Sequence, residues 1–328
     1  QNIGRWTNNS CKTEGETATM TVSVCMGTYN GETYIEQQLN TILRQTKAPE
    51  EVILCDDGST DNTVSIIERF IRKNGLDGKW KLYRNKINKG YPSNFYYACS
   101  LCNEEIVFLA DQDDIWKNDK IEKMCRVMEK NPGAKSVCCK FNLMDEKEQE
   151  IHSIMAPTHA HETGEVRNVP VEEIFYKCQW PGMVMAYRRD WYESWTKGNY
   201  QIPHDFLIAA RAAEEGGFFQ LDETLAYHRR HDHNTGGEEH HIRKLLNRDR
   251  KLKEIRDYLQ ILQQFLKEEV LATHTAKLLL NRKTTVMQQR EAALQSGRIS
   301  AVIKNAWKNR KYVRLATAVC DVIIVKQR

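Results

Sequence analysis

The sequence feature that most constrains this chain is an apolar run that stops abruptly in acid. Ile106-Val107-Phe108-Leu109 reads as a buried strand, and Asp111-Gln112-Asp113-Asp114 follows within two residues. Three carboxylates in four residues repel one another, and burial raises their pKa values further. A cation between them relieves both effects, and oxygen-only ligands suit Mg²⁺ or Mn²⁺ better than zinc. A second apolar strand pattern, Glu51 to Cys55, also ends in carboxylates, at Asp56-Asp57-Gly58-Ser59-Thr60-Asp61. In an open α/β sheet, ligands bind beyond the C-terminal ends of the strands. Asp57 and Asp113 should therefore face one crevice. A carboxylate at the first position suits a base N–H or a ribose hydroxyl, and a metal at the second suits a pyrophosphate.

The surrounding pattern supplies such a sheet. Thr21 to Met26 is β-branched and alternating, Gly27 to Gly31 is a turn, and Ile35, Leu39, Ile42 and Leu43 recur at helical spacing. A helical pattern at Val64, Ile67, Phe70 and Ile71, a strand at Trp80 to Tyr83, a polar loop from Asn85 to Asn94 and a helix at Phe95 to Leu101 complete the alternation. Alternating strands and helices argue for an α/β fold with a mostly parallel sheet and helices on both faces. Neither a Gly-x-Gly-x-x-Gly turn nor a Walker A loop is present, so a dinucleotide fold and a P-loop ATPase are not indicated.

Composition separates the two ends of the chain. Net charge is +4, but His241 to Arg328 holds 20 Lys and Arg against 7 Asp and Glu, a local +13 that leaves −9 for residues 1–240. Apolar residues recur at helical spacing from Leu245 to Leu266, at Leu278 to Leu280 with Val286, and through 301–307 and 312–325, with a break at Gly297. The division expected is a leader or tag over 1–19, a catalytic domain over 20–240 (donor part 20–115, acceptor part 116–240) and a basic helical region over 241–328. Such a region either packs on the catalytic domain or meets an anionic membrane surface through Trp307, Leu315, Val319, Val322 and Ile323. No nucleic-acid recognition motif accompanies the charge. The ten cysteines sit mostly inside apolar runs, which fits free thiols and a cytoplasmic location, and Cys99-x-x-Cys102 reads as a helix face. No segment reaches the ~18 apolar residues of a membrane span.

Thr28-Tyr29-Asn30, the 56–61 turn and Asp111-Gln112-Asp113-Asp114 resemble, in this order, the motifs of family 2 glycosyltransferases with the GT-A fold. The resemblance covers about residues 20–235. Downstream, Pro203-His204-Asp205-Phe206 opens a helix, Leu221-Asp222-Glu223-Thr224 reads as a turn, and His228-Arg229-Arg230-His231-Asp232-His233-Asn234 closes the pattern. The set is most similar to bacterial rhamnosyltransferases that build polysaccharides.

That resemblance implies roles. Thr28, Tyr29, Asn30, Glu32, Asn88, Asn94, Asp111 and Gln112 would surround the nucleotide, with Asp57 on the pyrimidine N–H. Asp113, with Asp111, would hold Mn²⁺ or Mg²⁺, joined by His231 or another histidine of 228–241. Asp205 would be the catalytic base, although Asp also favours helix N-caps. Trp180, Gly182 and His204 would shape the acceptor site. The implied activity is transfer of a sugar, L-rhamnose from dTDP-rhamnose or a hexose from a UDP-sugar, to a saccharide or lipid-linked saccharide acceptor. A site with one base needs no second carboxylate as a covalent nucleophile, so transfer inverts the anomeric centre. One departure is His228, where relatives often carry Tyr.

Overall fold

The computed structural model describes residues 20–151, 162–177, 180–198, 200–231 and 247–326. The expected leader at 1–19 and most of the His-rich run, 232–241, lie outside them. Four strands come first: β1 (Val22–Thr28), β2 (Glu51–Asp56), β3 (Trp80–Arg84) and β4 (Ile106–Ala110). Between them run α1 (Ile35–Leu43), α2 (Thr63–Lys73) and α3 (Tyr91–Ser100). β2 and β4 are near-continuous in apolar residues, and every residue of both is buried. A strand apolar at successive positions needs cover on both faces, which explains the absence of alternation.

These four strands pair in parallel, in the order β3-β2-β1-β4. Thr28 at the end of β1 lies level with Asp56 at the end of β2, and Met26 lies level with Ala110 at the end of β4. Parallel pairing on either side of β1 thus brings both acidic turns out at the same edge. Beyond β4 the sheet is mixed. It runs on through β9 (Met185–Arg188), β6 (Ser136–Met144), β10 (Phe218–Arg229) and β5 (Ile115–Trp116), with β7 (Glu150–Ile151) on β6 and β8 (Val166–Asn168) on β10. β6 and β10 are parallel, and β9 is antiparallel to both β4 and β6. Helices α4 (Lys120–Lys130), α5 (Val171–Lys177), α6 (Arg189–Trp195) and α7 (His204–Glu214) complete this part.

Two local expectations are corrected. Residues 221–224 are not a turn: Asp222 and Glu223 lie inside β10, where the register on β6 shifts between Gln220 and Thr224, and Asp222 pairs with Lys140. The residue pattern is that of a bulge, which interrupts alternation as a turn does. Helix α3 also starts earlier than Phe95. Gly90, at φ 81°, ends the loop, and Pro92 sits in the first helical turn, where its missing N–H costs nothing.

Four helices follow: α8 (Arg248–Glu268), α9 (His274–Ser296), α10 (Ile299–Lys308) and α11 (Leu315–Lys326). The Asn247 side chain accepts from the Arg250 N–H at 2.9 Å and Thr273 caps α9 in the same way, while Gly297 ends α9 at φ 63°. α8 buries Leu252, Ile255, Leu259, Leu262 and Phe265, one stripe at helical spacing. Phe265 meets Phe175 of α5 at 6.4 Å and Phe206 of α7 at 4.8 Å between ring centroids. The basic helices are thereby packed against the helix that bears Asp205. Phe265→Ala, which empties this three-ring contact, is expected to cost about 3–5 kcal/mol. Chemical denaturation should show one transition at lower denaturant, not separate melting of the C-terminal helices.

Candidate functional site

The acidic edge opens into a cavity of about 600 Å³. Asp57, Asp111, Asp113 and Asp205 all line it, as do Thr28, Tyr29, Asn88, Asn94, Gln112, Gly182 and His204. Carboxylates 148 residues apart in sequence therefore share one hollow.

The first turn is built by its own side chains. Asp56 is fully buried and accepts from the backbone N–H of Gly58 at 3.2 Å and of Ser59 at 3.0 Å, an Asx-type turn with Gly58 at φ 82°. Asp57 then points at the loop after β3. Its carboxylate accepts from Lys89 N–H at 2.8 Å, Gly90 N–H at 2.9 Å and Asn85 Nδ2 at 2.9 Å. A carboxylate has about four lone-pair positions, so three are used in holding the loop and one is left for a ligand N–H. Asn94 donates to the Cys55 carbonyl at 2.7 Å and accepts from Asn85 at 2.8 Å, which fixes the same loop from the helix side. The Asn88 side chain accepts from the Gly90 N–H at 2.9 Å.

Asn30 and Glu32, expected at the nucleotide, are used differently. Asn30, at φ 45°, accepts from the Thr60 N–H at 2.9 Å, and Glu32 accepts from the N–H and side chain of Asn62 at 2.9 and 2.7 Å. Both tie the turn after β1 to the turn after β2. Gln112 is a second tie: it accepts from the Tyr29 N–H at 2.9 Å and donates to the Tyr29 carbonyl at 3.0 Å. A Cβ at Gly31 would fall 2.3 Å from Gln112 Oε1, so glycine at 31 admits the clamp. Tyr29 itself is about half exposed, with its ring free to meet a ligand.

The three carboxylates after β4 separate into roles. Asp114 is buried and structural: it accepts from the Arg229 N–H at 3.1 Å and meets His228 Nδ1 at 2.9 Å. Arg229 is 1% exposed; its Nε donates to the Asp113 carbonyl at 2.9 Å, and its guanidinium lies 4.6 Å over the Tyr34 ring. Burial pushes the His228 imidazole down, but the neighbouring Asp114 carboxylate more than offsets this and holds it above its ordinary value. Asp113 faces the cavity with its Oδ2 2.7 Å from His231 Nε2. Burial, then the negative charges of Asp114 and Asp113, hold the Asp111 carboxyl well above the usual range.

Those observations test whether a divalent cation suits the site. No set of three or more His, Cys, Asp or Glu among the described residues forms a complete cage. Mg²⁺ and Mn²⁺ bound with a diphosphate need only one or two protein carboxylates, since phosphate and water oxygens supply the rest. Asp113 beside His231, with the Asp111 carboxyl raised by burial and by neighbouring negative charge that a cation would offset, fits that description.

Opposite the acidic turn stands the start of α7. Pro203 is the flanking residue, so Asp205 is the second residue of the helix and not its N-cap. His204 is fully buried and stacks on Phe95 at 3.9 Å, and burial pushes its imidazole pKa down. Neither ring nitrogen has a hydrogen-bond partner among the described residues. A second cavity of about 400 Å³ adjoins the first and shares Tyr91, Pro181, Asp205 and His228 with it. Trp180, Phe141 and Tyr258 also line this second space. Asp205 thus stands where the two cavities meet.

Sequence reasoning missed two cations that support the site. Arg229 is one. The other is Lys120, fully buried, 3.4 Å over the Trp116 ring and donating to the Met183 carbonyl; burial pushes its ammonium down to about 8. The signal for Lys120 was a lysine in step with the buried Met124 and Met128 and next to the buried Ile121.

Residues 23–194 match the model of the family described as Glycosyl transferase family 2. The dTDP-rhamnosyl transferase RfbG of Shigella flexneri is 39% identical over 100 residues, 30% of this chain and 34% of that protein. The Escherichia coli UDP-Glc:alpha-D-GlcNAc-diphosphoundecaprenol beta-1,3-glucosyltransferase WfgD is 34% identical over 110 residues, 34% of this chain and 42% of that protein. The chain thus spans less than half the length of either relative. Among solved structures, the mannosyltransferase PcManGT of Pyrobaculum calidifontis, in complex with GDP-Man and Mn²⁺, superposes with a TM-score of 0.55 at 17% identity, covering 94% of this chain and 86% of that one. At that identity the likeness is one of fold, which is GT-A.

Gly182 provides a direct probe of the cavity wall. A Cβ there would fall 2.8 Å from His204 Nε2. Gly182→Ala is expected to displace the imidazole and lower kcat/KM about tenfold or more, with a melting temperature close to the parent's. Steady-state kinetics with a thermal melt checks this.

Proposed function

The chain belongs to glycosyl transferase family 2, and from that premise we propose an inverting transfer of a sugar from a nucleoside diphosphate to an acceptor hydroxyl, with Asp205 as base. One observation supports this above the others: Asp205 stands at the junction of two cavities, one of which also holds Asp57, Asp111 and Asp113. The first cavity takes the donor and the second the acceptor.

The nucleotide lies beyond the β1 and β2 turns, with the base N–H on the remaining lone pair of Asp57 and Tyr29 against the ring. Asp113, beside His231 and Asp111, would hold Mn²⁺ or Mg²⁺ together with diphosphate and water oxygens. When bound, that ion supplies positive charge to the departing diphosphate. The acceptor hydroxyl enters from the side of Trp180 and Tyr258. Its oxygen attacks the anomeric carbon as the bond from that carbon to the phosphate oxygen breaks, and its proton passes to an Asp205 carboxylate oxygen. Attack from the face opposite the leaving group inverts the anomeric configuration, and a second carboxylate for a covalent intermediate is not required.

For the donor, the favoured reading is dTDP-β-L-rhamnose, supported by the likeness to RfbG. A UDP-hexose is the second reading, supported by the likeness to WfgD. Both relatives carry names that belong to bacterial glycan assembly, and the acceptor is read as a saccharide, free or lipid-linked. The cytoplasmic side is the location that goes with this reading.

Thermal-shift measurements with Mn²⁺ across dTDP-rhamnose, UDP-glucose, UDP-galactose and UDP-GlcNAc discriminate the donors. A larger shift with dTDP-rhamnose is expected; a larger shift with any UDP-sugar overturns that choice. For the residue roles, Asp205→Asn should lower turnover about 10²–10⁴-fold with donor binding retained. Asp113→Asn should remove the metal-dependent part of the thermal shift as well as turnover. Full release of nucleoside diphosphate by either variant refutes its assigned role.

A further inference from the structure

The outer face of α10 and α11 is apolar and exposed, on two helices rich in Lys and Arg. Trp307 is 71% and Leu315 81% exposed, with Ile303, Val319 and Ile323 beside them. Between the two helices these residues line a groove of about 490 Å³ with Arg310 at its edge, its guanidinium 5.3 Å from the Trp307 ring. An apolar stripe of this kind on a water-facing helix pair marks an interaction site.

Its charge identifies what it meets. Residues 299–326 contain Lys304, Lys308, Arg310, Lys311, Arg314 and Lys326 against one acid, Asp321. That acid is buried and paired with Arg290 at 2.8 and 2.9 Å, so it does not offset the exposed positive charge. The hairpin is also seated rigidly. Tyr312 stacks on Tyr176 of α5 at 4.8 Å and 6° between ring planes, and the Asn309 side chain, buried between α9 and α10, donates to Gln289 at 3.1 Å. A second copy of this chain would bring two such basic faces together, which like-charge repulsion opposes. No helix among the described residues is long and apolar enough to cross a bilayer.

We propose that the α10–α11 face docks on an anionic lipid surface, with Trp307, Leu315 and Val319 entering the headgroup region and the surrounding lysines and arginines meeting lipid phosphates. The proposal does not depend on the donor or on Asp205. It goes beyond the transfer reaction by assigning the surface on which the enzyme works.

Co-sedimentation of the full chain with vesicles tests it. Vesicles of phosphatidylglycerol and phosphatidylcholine should bind the protein, pure phosphatidylcholine should bind it far more weakly, and binding should fall as salt rises. Lys304→Gln with Lys308→Gln should lower partitioning about thirtyfold, at the usual contribution per basic residue. Trp307→Ser with Leu315→Ser should lower it at least as much. All four positions are exposed, so melting temperatures should match the parent's, and transfer to a soluble acceptor should be unchanged. Equal partitioning of parent and variants, or no preference for anionic vesicles, overturns the proposal. So does a concentration-dependent dimer in sedimentation velocity that Leu315→Ser dissociates, since the face is then a contact between copies. Loss of transfer without loss of vesicle binding would count against the reaction assigned above and leave this inference standing.

Discussion

Three carboxylates in four residues are hard to place in a fold, because each one buried makes the next more costly. Much of the site is the answer to that constraint. Asp114 is neutralised from behind by His228 and by the backbone of Arg229, and the Arg229 guanidinium closes the rear of the turn against Tyr34 and the Asp113 carbonyl. Lys120 contributes a buried positive charge from α4. Asp113 and Asp111 are left facing the cavity, and burial, then the charges of Asp114 and Asp113, hold the Asp111 carboxyl well above its usual range. The turn thus leaves two carboxylates lining the cavity, which suits the metal diphosphate of the proposed reaction.

The same economy governs the turns on the other strands. Asn30, Glu32, Ser59, Asp61 and Gln112 bond turn to turn, so β1, β2 and β4 end in one locked rim. Rigid rims hold a ligand's reacting atoms in place without ordering costs at the moment of binding. Three of the bonds to Asp57 hold the 85–90 loop, which leaves one lone-pair position for the base N–H of the proposed donor.

The sheet and its acidic edge were legible because both depend on local sequence. Unbroken apolar runs give strands buried on both faces, and parallel pairing about β1 then fixes where their ends emerge. The division of labour among the polar residues was not legible. Gln112 meets Tyr29 across 83 positions and Arg229 meets Asp113 across 116, whereas the approach of His231 to Asp113 across 118 was implied only by the family resemblance. No periodicity encodes such pairs. Gly31 looked like an ordinary turn glycine, yet its missing Cβ is required by a side chain eighty-one positions later. The Asp222-Glu223 pair misled for a related reason: a bulge and a turn both interrupt alternation, and only strand pairing separates them.

Asp205 depends on a part of the chain that its own surroundings do not suggest. Its neighbour Phe206 stacks on Tyr258 at 6.2 Å and meets Phe265 at 4.8 Å, both from α8. At the far end of α7, Glu214 accepts from the backbone N–H groups of Ala272 and Thr273, which start α9. Both ends of the helix that carries Asp205 are therefore held by residues after 247. Tyr258 and Ile261 of α8 also line the second cavity. α8 and the start of α9 are consequently part of what sets the position of Asp205 and the shape of the space beside it. A shift of α8 by a fraction of an ångström would be felt at Asp205 through Phe206, because packed aromatic contacts transmit displacement instead of absorbing it.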